Sequence, residues 1–115
     1  MSEEMSVSMA LEDLGVGSMH PCMAGGRDIV VCRTKDGVYA LDNVCTHAYA
    51  RLSEGRLRGT RLICPLHGAS FDIRDGRPLG APATRPLVTH RAAIHGDRIE
   101  ISITPRPQDA GGTAS

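Results

Sequence analysis

The sequence predicts an all-β domain, a sandwich or barrel of short antiparallel strands. Runs rich in β-branched residues recur at close spacing along the 115 residues, and dipeptides typical of tight turns separate them. The clearest strand pattern is RIEISIT (98–104), in which three isoleucines alternate with polar residues. Many short strands joined by tight turns are typical of sandwiches and barrels.

The elements follow in chain order. MALEDLG (9–15) favours one or two helical turns that end at Gly15. Asp36-Gly37 lies between two β-branched runs and predicts a hairpin. Three further dipeptides predict turns: Gly25-Gly26, Asp75-Gly76 and Gly96-Asp97. The strands between these turns are predicted over residues 27–34, 38–42, 61–64, 69–73, 87–94 and 98–104.

Length and charge restrict the function classes. The 115 residues suit one domain, with a core over about 6–104 and a disordered tail over 105–115. Thirteen basic and 13 acidic residues cancel, which argues against nucleic-acid binding. Because no apolar run could span a membrane and the N-terminus has no signal-peptide pattern, we expect a cytoplasmic protein without membrane contact. In that reducing compartment, the four cysteines are expected to be metal ligands or inert thiols.

Two short motifs pair a cysteine with a histidine. Cys45 and His47 form Cys-x-His, and Cys64 and His67 form Cys-x-x-His sixteen residues later. Each motif lies between predicted strands, so the two loops could close on one metal centre. Two sulfur and two nitrogen ligands fit a structural zinc ion or a [2Fe–2S] centre, and one cysteine-histidine pair could also serve nucleophilic catalysis.

The residues around both motifs carry a family resemblance. CTHAYARLSEG (45–55) and CPLHGASFDIRDGRP (64–78) resemble the Rieske [2Fe–2S] family, and in particular the Rieske-type ferredoxins of bacterial aromatic ring-hydroxylating dioxygenase systems. The resemblance implies a Rieske fold, with a cluster-binding subdomain over about 43–78 made of two ligand loops.

Within that fold the resemblance also implies the ligands of one [2Fe–2S] cluster. Cys45 and Cys64 would hold the inner iron, and His47 and His67 the outer iron. GAPATRP (80–86) resembles the proline loop that covers such a cluster.

The implied function is a low-potential one-electron carrier. It would dock transiently, as a monomer, between an NAD(P)H-dependent flavoprotein reductase and the terminal Rieske oxygenase of an aromatic-ring dioxygenase. It would be a component of that system and not the enzyme, since the chain ends too soon after His67 to hold a catalytic domain. Two alternatives remain: the small Rieske-like subunit of an assimilatory nitrite reductase, and a zinc-containing binding module.

Four positions predict the redox potential. High-potential Rieske proteins of cytochrome bc type carry a disulfide and two hydroxyl donors near the cluster. The corresponding positions here are Ala50, Leu66, Ala69 and Phe71. Because hydrogen bonds to the cluster stabilise its more negative reduced state, their absence predicts a potential near the lower limit for Rieske centres, about −150 mV.

The remaining candidates have weaker patterns. Four arginines near the ligand loops form either a solvated face or a docking rim for an acidic partner: Arg51, Arg56, Arg58 and Arg61. Cys22 and Cys32 are expected to be buried, inert thiols. Three histidines without a partner pattern are interpreted as surface or strand residues: His20, His90 and His95.

Overall fold

Antiparallel strands build the computed structural model, which describes residues 6–46, 50–66, 68–80 and 85–104. Within these ranges the strands are β1 (Ser6–Ala10), β2 (Met19–Ala24), β3 (Arg27–Thr34), β4 (Gly37–Asp42), β5 (Arg56–Arg58), β6 (Arg61–Ile63), β7 (Ser70–Asp72), β8 (Pro78–Gly80), β9 (Thr89–His95) and β10 (Arg98–Ser102). Two single 3-10 turns, Leu11–Asp13 and Leu52–Glu54, are the helical elements of the described residues. The predicted all-β fold is confirmed.

The strands form two sheets. The basal sheet has the order β1-β10-β9-β4-β3-β2, and the ligand-loop sheet has the order β5-β6-β7-β8. The chain leaves the basal sheet after β4 and re-enters it at β9, and these two strands pair through Ala40 with His90 and Leu41 with Thr89. The ligand-loop sheet is therefore an insertion between β4 and β9, two strands that pair with each other in the basal sheet.

Strand β3 is buried on both faces and separates two cores. Ile29 and Val31 face a core within the basal sheet, together with Ile99, Ile101 and Ile103. Val30 and Cys32 face the opposite side and join the core beneath the ligand-loop sheet. This alternation follows from the two-residue period of a strand. The same period confirms the predicted inward row of isoleucines in β10 and just beyond it.

The predicted turns all connect strands. Gly25-Gly26 joins β2 to β3, and Asp36-Gly37 lies at the β3–β4 hairpin. Asp75-Gly76 lies between β7 and β8, and Gly96-Asp97 joins β9 to β10. These four predictions are confirmed.

The helix predicted over 9–15 is wrong in its first part. Met9 and Ala10 close strand β1, where they pair with Ile99 and Arg98 of β10, and only Leu11–Asp13 forms a 3-10 turn. Pairing with a neighbouring strand outweighs the helix propensity of these residues. The described residues contain no helix that is long and apolar enough to cross a membrane.

Candidate metal centre

The two cysteines of the paired motifs meet in one core. Cys45 lies on the segment that follows β4, and Cys64 directly follows β6. Both are buried, with 4% and 2% of their surface exposed, and both belong to the core beneath the ligand-loop sheet. Burial raises the pKa of the Cys64 thiol, and its hydrogen bond and electrostatic interaction with the Cys45 side chain raise it further. The fold thus brings two sulfur ligands together from loops 19 positions apart in the sequence.

The histidine partners, His47 and His67, lie outside the described residues. Within the described ranges there is no group of three or more metal-binding side chains. The four-residue ligand set therefore stays a prediction, of which the structure tests the pairing of the two cysteines. Most of the predicted proline loop, residues 81–84, and the tail over 105–115 also lie outside the described residues.

The second ligand loop (64–69) is closed by its own backbone. The Cys64 N–H donates to the Ala69 carbonyl at 2.7 Å. The Leu66 N–H donates to the Cys64 Sγ at 3.4 Å, and this donor opposes the rise in the Cys64 pKa that burial causes. Metal-bound thiolates are expected to accept hydrogen bonds of this kind from backbone N–H groups.

Gly68 completes this turn in a conformation that favours glycine. Its φ is +72°, and among the described residues other than its chain neighbours no atom lies within 4 Å of the position that a Cβ would take. The left-handed backbone accounts for the glycine, and the described residues leave the adjacent space open. Both features, together with the buried sulfurs, fit an iron–sulfur group seated against this turn.

The first ligand loop (43–55) is held by a buried polar side chain. Asn43 has no exposed surface. Its Nδ2 donates to Asp28 Oδ1 at 3.0 Å and to Ser53 Oγ at 2.9 Å, while its Oδ1 accepts from the Ser53 N–H at 2.7 Å. The Asn43 carbonyl also accepts from the Leu52 N–H at 2.7 Å. One asparagine therefore joins both ends of the loop and fixes them to β3.

An ion pair reinforces the same attachment. Arg51 donates to Asp28 through Nε at 2.8 Å and through Nη2 at 3.1 Å. These hydrogen bonds hold the pKa of the Asp28 carboxyl below its usual value. Asp28 is thus shared between the loop's first residue, Asn43, and its later residue, Arg51. We call the four residues Asp28, Asn43, Arg51 and Ser53 the polar clamp.

The four positions that predict the redox potential lie in or beside the two ligand loops. Ala50, Ala69 and Phe71 are buried, whereas Leu66 is 47% exposed. None of their side chains carries a sulfur or a hydroxyl group. The Phe71 ring fills the core beneath the ligand-loop sheet instead of donating a hydrogen bond.

His90 has partners that the sequence does not reveal. It lies on β9, as expected for a strand histidine, but its side chain has no exposed surface. Its Nδ1 accepts from the Thr104 N–H at 2.9 Å, so its Nε2 carries the proton and donates to Asp42 at 2.9 Å. Arg27 Nη2 donates to both carboxylate oxygens of Asp42, at 3.0 and 3.2 Å, and Arg27 Nη1 donates to the Thr104 carbonyl at 2.6 Å. Residues far apart in sequence form this network, so no local pattern could indicate it.

The other candidates outside the motifs keep a structural role. Cys32 is fully buried in the core, and burial raises its pKa to about 12, which leaves the thiol inert. Cys22 is half-buried on β2, where burial likewise raises its pKa, so the prediction of full burial holds for Cys32 alone. His20 and His95 are exposed strand residues, as predicted.

The chain is similar to known proteins both as a member of a family and in comparison with individual relatives. The family model described as the Rieske [2Fe–2S] domain matches residues 4–91. The ferredoxin component of the naphthalene 1,2-dioxygenase system of Pseudomonas aeruginosa is 35% identical over 104 residues, which cover 90% of this chain and 100% of the relative.

Solved structures with the same fold come from two settings. A chain in the complex of reduced oxygenase and oxidized ferredoxin in carbazole 1,9a-dioxygenase has a TM-score of 0.79 and 30% identity, covering 84% of this chain and 92% of its own length. A putative NADH-dependent nitrite reductase small subunit from Mycobacterium tuberculosis has a TM-score of 0.79, covering 91% of this chain and 100% of its own length. At 20% identity, that second match shows the fold alone.

Proposed function

Because the chain belongs to the Rieske [2Fe–2S] domain family, we propose that it is the ferredoxin component of an aromatic-ring dioxygenase system and carries single electrons to the oxygenase. The group that the family carries is a Rieske-type [2Fe–2S] cluster, which supplies one-electron redox chemistry when bound. The observation that carries the proposal is that Cys45 and Cys64 lie in one core. The chain also matches a dioxygenase ferredoxin component along that relative's whole length.

The ligands in this proposal are Cys45, His47, Cys64 and His67. The two cysteines are buried, which keeps water from their sulfurs and favours a stable thiolate–iron bond. The histidines occupy the remaining positions of motifs whose cysteines the fold brings together. Zinc would use the same ligand types, but the family match over residues 4–91 favours the iron–sulfur group.

The partners we propose are a flavoprotein reductase, which would reduce the chain with electrons from NAD(P)H, and a terminal Rieske oxygenase, which would accept them. The carbazole 1,9a-dioxygenase complex, in which an oxygenase and a ferredoxin bind each other, supports the oxygenase as a partner. We propose that the chain acts as a monomer in the cytoplasm, where a mobile carrier can alternate between the two proteins.

The alternative, a nitrite reductase small subunit, has weaker support. It rests on a structural match at 20% identity, whereas the dioxygenase ferredoxin component is 35% identical. Co-purification with a large sirohaem protein would favour this alternative.

Reconstitution tests the proposed function directly. The protein, loaded with its cluster, is mixed with the reductase and oxygenase of an aromatic-ring dioxygenase system, and NADH-dependent formation of the dihydroxylated product is followed. We expect product only when all three proteins are present. Equal product formation without this chain would refute the proposal, and a colourless purified protein that contains zinc would refute the assigned group.

A further inference from the structure

Positive charge is concentrated on the ligand-loop sheet. Residues 56–80 contain five arginines and two aspartates, and they contain no lysine or glutamate. The rest of the chain holds eight basic and eleven acidic residues, so the neutral total conceals a charge separation. Such a separation orients a protein in the field of a charged partner.

Three of these arginines form one surface, which we call the arginine face: Arg56, Arg58 and Arg61. On β5 and β6 the residues between and opposite them, Leu57 and Leu62, turn inward to the core. All three arginines are exposed. The two-residue period of the strands therefore places the three guanidinium groups on the outer side of the ligand-loop sheet.

Two members of the arginine face oppose each other directly. Arg58 of β5 is the cross-strand partner of Arg61 of β6, an arrangement that destabilises a sheet because like charges face each other. The next residue across the sheet is Asp72, the partner of Arg61. Asp72 is already bound by Arg74 at 2.7 Å and by Arg77 at 3.6 Å.

The charge of the arginine face is consequently not neutralised by any ion pair with a described residue. Among the described residues, Arg56, Arg58 and Arg61 take part in no ion pair. Arg61 makes one neutral contact, a hydrogen bond to Ser70 Oγ at 2.9 Å. Fold stability alone does not account for an opposed arginine pair without a carboxylate, whereas an acidic partner surface would supply the missing negative charge.

The arginine face also borders the cysteine pair. Arg56 lies opposite Ile63, the residue before Cys64. Arg58 lies two residues farther along β5, about 7 Å from Arg56. A protein seated on this surface would lie directly beside the second ligand loop.

We propose that the arginine face docks an acidic surface of the reductase, and that the attraction turns the ligand-loop end toward that partner. The inference rests on the proposed function, since it specifies how the carrier meets its electron donor. An acidic protein suits the surface better than a nucleic acid, because the chain has one phenylalanine, two tyrosines and no tryptophan with which to stack bases.

The test compares two charge reversals of equal size. Arg58→Glu changes the arginine face, and Arg91→Glu changes an exposed residue of β9 on the basal sheet, for which the structure gives no ion pair. Stopped-flow reduction of the cluster-loaded variants by a dioxygenase-system reductase is measured at several ionic strengths. For Arg58→Glu we expect a rate about tenfold lower at low ionic strength, with the difference fading as salt screens the charges.

Two further readouts separate docking from damage to the fold. The midpoint potential of Arg58→Glu should equal that of the natural chain. Its thermal midpoint should be equal or higher, because the new carboxylate would face Arg61. Equal rates for the two variants at every ionic strength would overturn the inference. So would a tenfold loss that persists at high salt.

A second experiment measures binding to a defined acidic probe. It is needed if the reductase does not reduce even the natural chain. That failure would refute the proposed function, and retention on immobilised polyglutamate would still test the surface. Arg58→Glu should elute at lower salt than Arg91→Glu, although their net charges are the same, and co-elution would overturn the inference. Binding to phosphatidylglycerol vesicles that Arg58→Glu abolishes, with reduction unchanged, would instead assign the surface to lipid.

Discussion

The two ligand loops are fixed in different ways. The first loop (43–55) is attached to β3 by the polar clamp, whose Asn43–Asp28 and Arg51–Asp28 contacts span 15 and 23 residues of sequence. Each loop is also closed by a backbone hydrogen bond from its cysteine, Cys45 N–H to the Ala50 carbonyl and Cys64 N–H to the Ala69 carbonyl. The second loop (64–69) has no counterpart of the polar clamp among the described residues, and the strand that follows it ends at Asp72, whose arginine partners lie in the adjoining turn.

This difference assigns different sensitivities to the two cysteines. The position of Cys45 depends on the polar clamp as well as on its own backbone hydrogen bond, and the buried Asn43 matters most, since an unsatisfied buried group costs far more than an exposed one. The position of Cys64 depends on local backbone geometry. Substitutions should therefore disturb the first loop through long-range contacts and the second through the turn itself.

The largest effect is expected at the junction of the two loops. A Cβ on Gly55, which ends the first loop, would lie directly against the carbonyl oxygen of Ile63 beside Cys64. Because both groups are backbone, Gly55→Ala should lower the free energy of unfolding by about 3 kcal/mol. Gly68→Ala in the second loop is the matched variant, since its Cβ would meet no described residue beyond its chain neighbours; in the cluster-free protein it should cost about 1 kcal/mol from its positive φ alone. Urea unfolding measures both, and equal losses would contradict this difference.

The polar clamp itself comes next. Asn43→Ala would leave the Ser53 N–H without its acceptor and would remove one of the hydrogen-bond donors of Asp28, so we expect a loss of about 2 kcal/mol and faster release of iron to a chelator. Val44→Ala, a change at the exposed neighbour, is the control. Iron release from Asn43→Ala at the rate of the control would show that the clamp does not hold the first loop.

Acid should lower the free energy of unfolding because it protonates Asp72. Hydrogen bonds from Arg74 lower the pKa of this buried carboxyl to about 2. A depressed pKa stabilises the fold above the ordinary value near 4, and this contribution disappears as the pH falls toward 2. Asp72→Asn should cost about 1–2 kcal/mol at pH 7, and most of this cost should be gone near pH 2. Unfolding measured from pH 7 to pH 2 checks this, and a constant difference would contradict it.

The smallest expected effect is a change in the redox potential. We expect a midpoint near −150 mV, and a value above +100 mV would contradict the interpretation of Ala69 and Phe71. Ala69→Ser or Phe71→Tyr should raise it by roughly 40 mV, which corresponds to one hydrogen bond of about 1 kcal/mol. Phe71→Leu adds no hydroxyl and serves as the control in the same titration.

Sequence reasoning succeeds where the pattern is local. The isoleucine alternation of β10 and the turn dipeptides are readable because each depends on neighbouring residues. Strand β2 was not predicted, since Pro21 and His20 are weak strand formers. Its position at the edge of the basal sheet explains why a proline, which lacks an N–H, is tolerated there.

The same limit applies to the candidate site. The cysteine-histidine spacing and the flanking residues indicate the group and the family. Asn43 and Asp28 have no such signal, because their contact depends on how β3 and the first loop meet in space. His90 was missed for the same reason, since its partners Asp42 and Thr104 come from other parts of the chain.

The polar clamp has a consequence for the order of folding. Contacts close in sequence form sooner than distant ones, because less chain entropy is lost in closing the smaller loop. The hairpin around Cys64 can form alone, whereas the polar clamp can form only when β3 brings Asp28 to Asn43 and Arg51. We expect pulse-labelled hydrogen exchange during refolding to protect the Cys64 N–H before the Leu52 N–H. The first ligand loop would then take its final place against β3 after the second loop has closed.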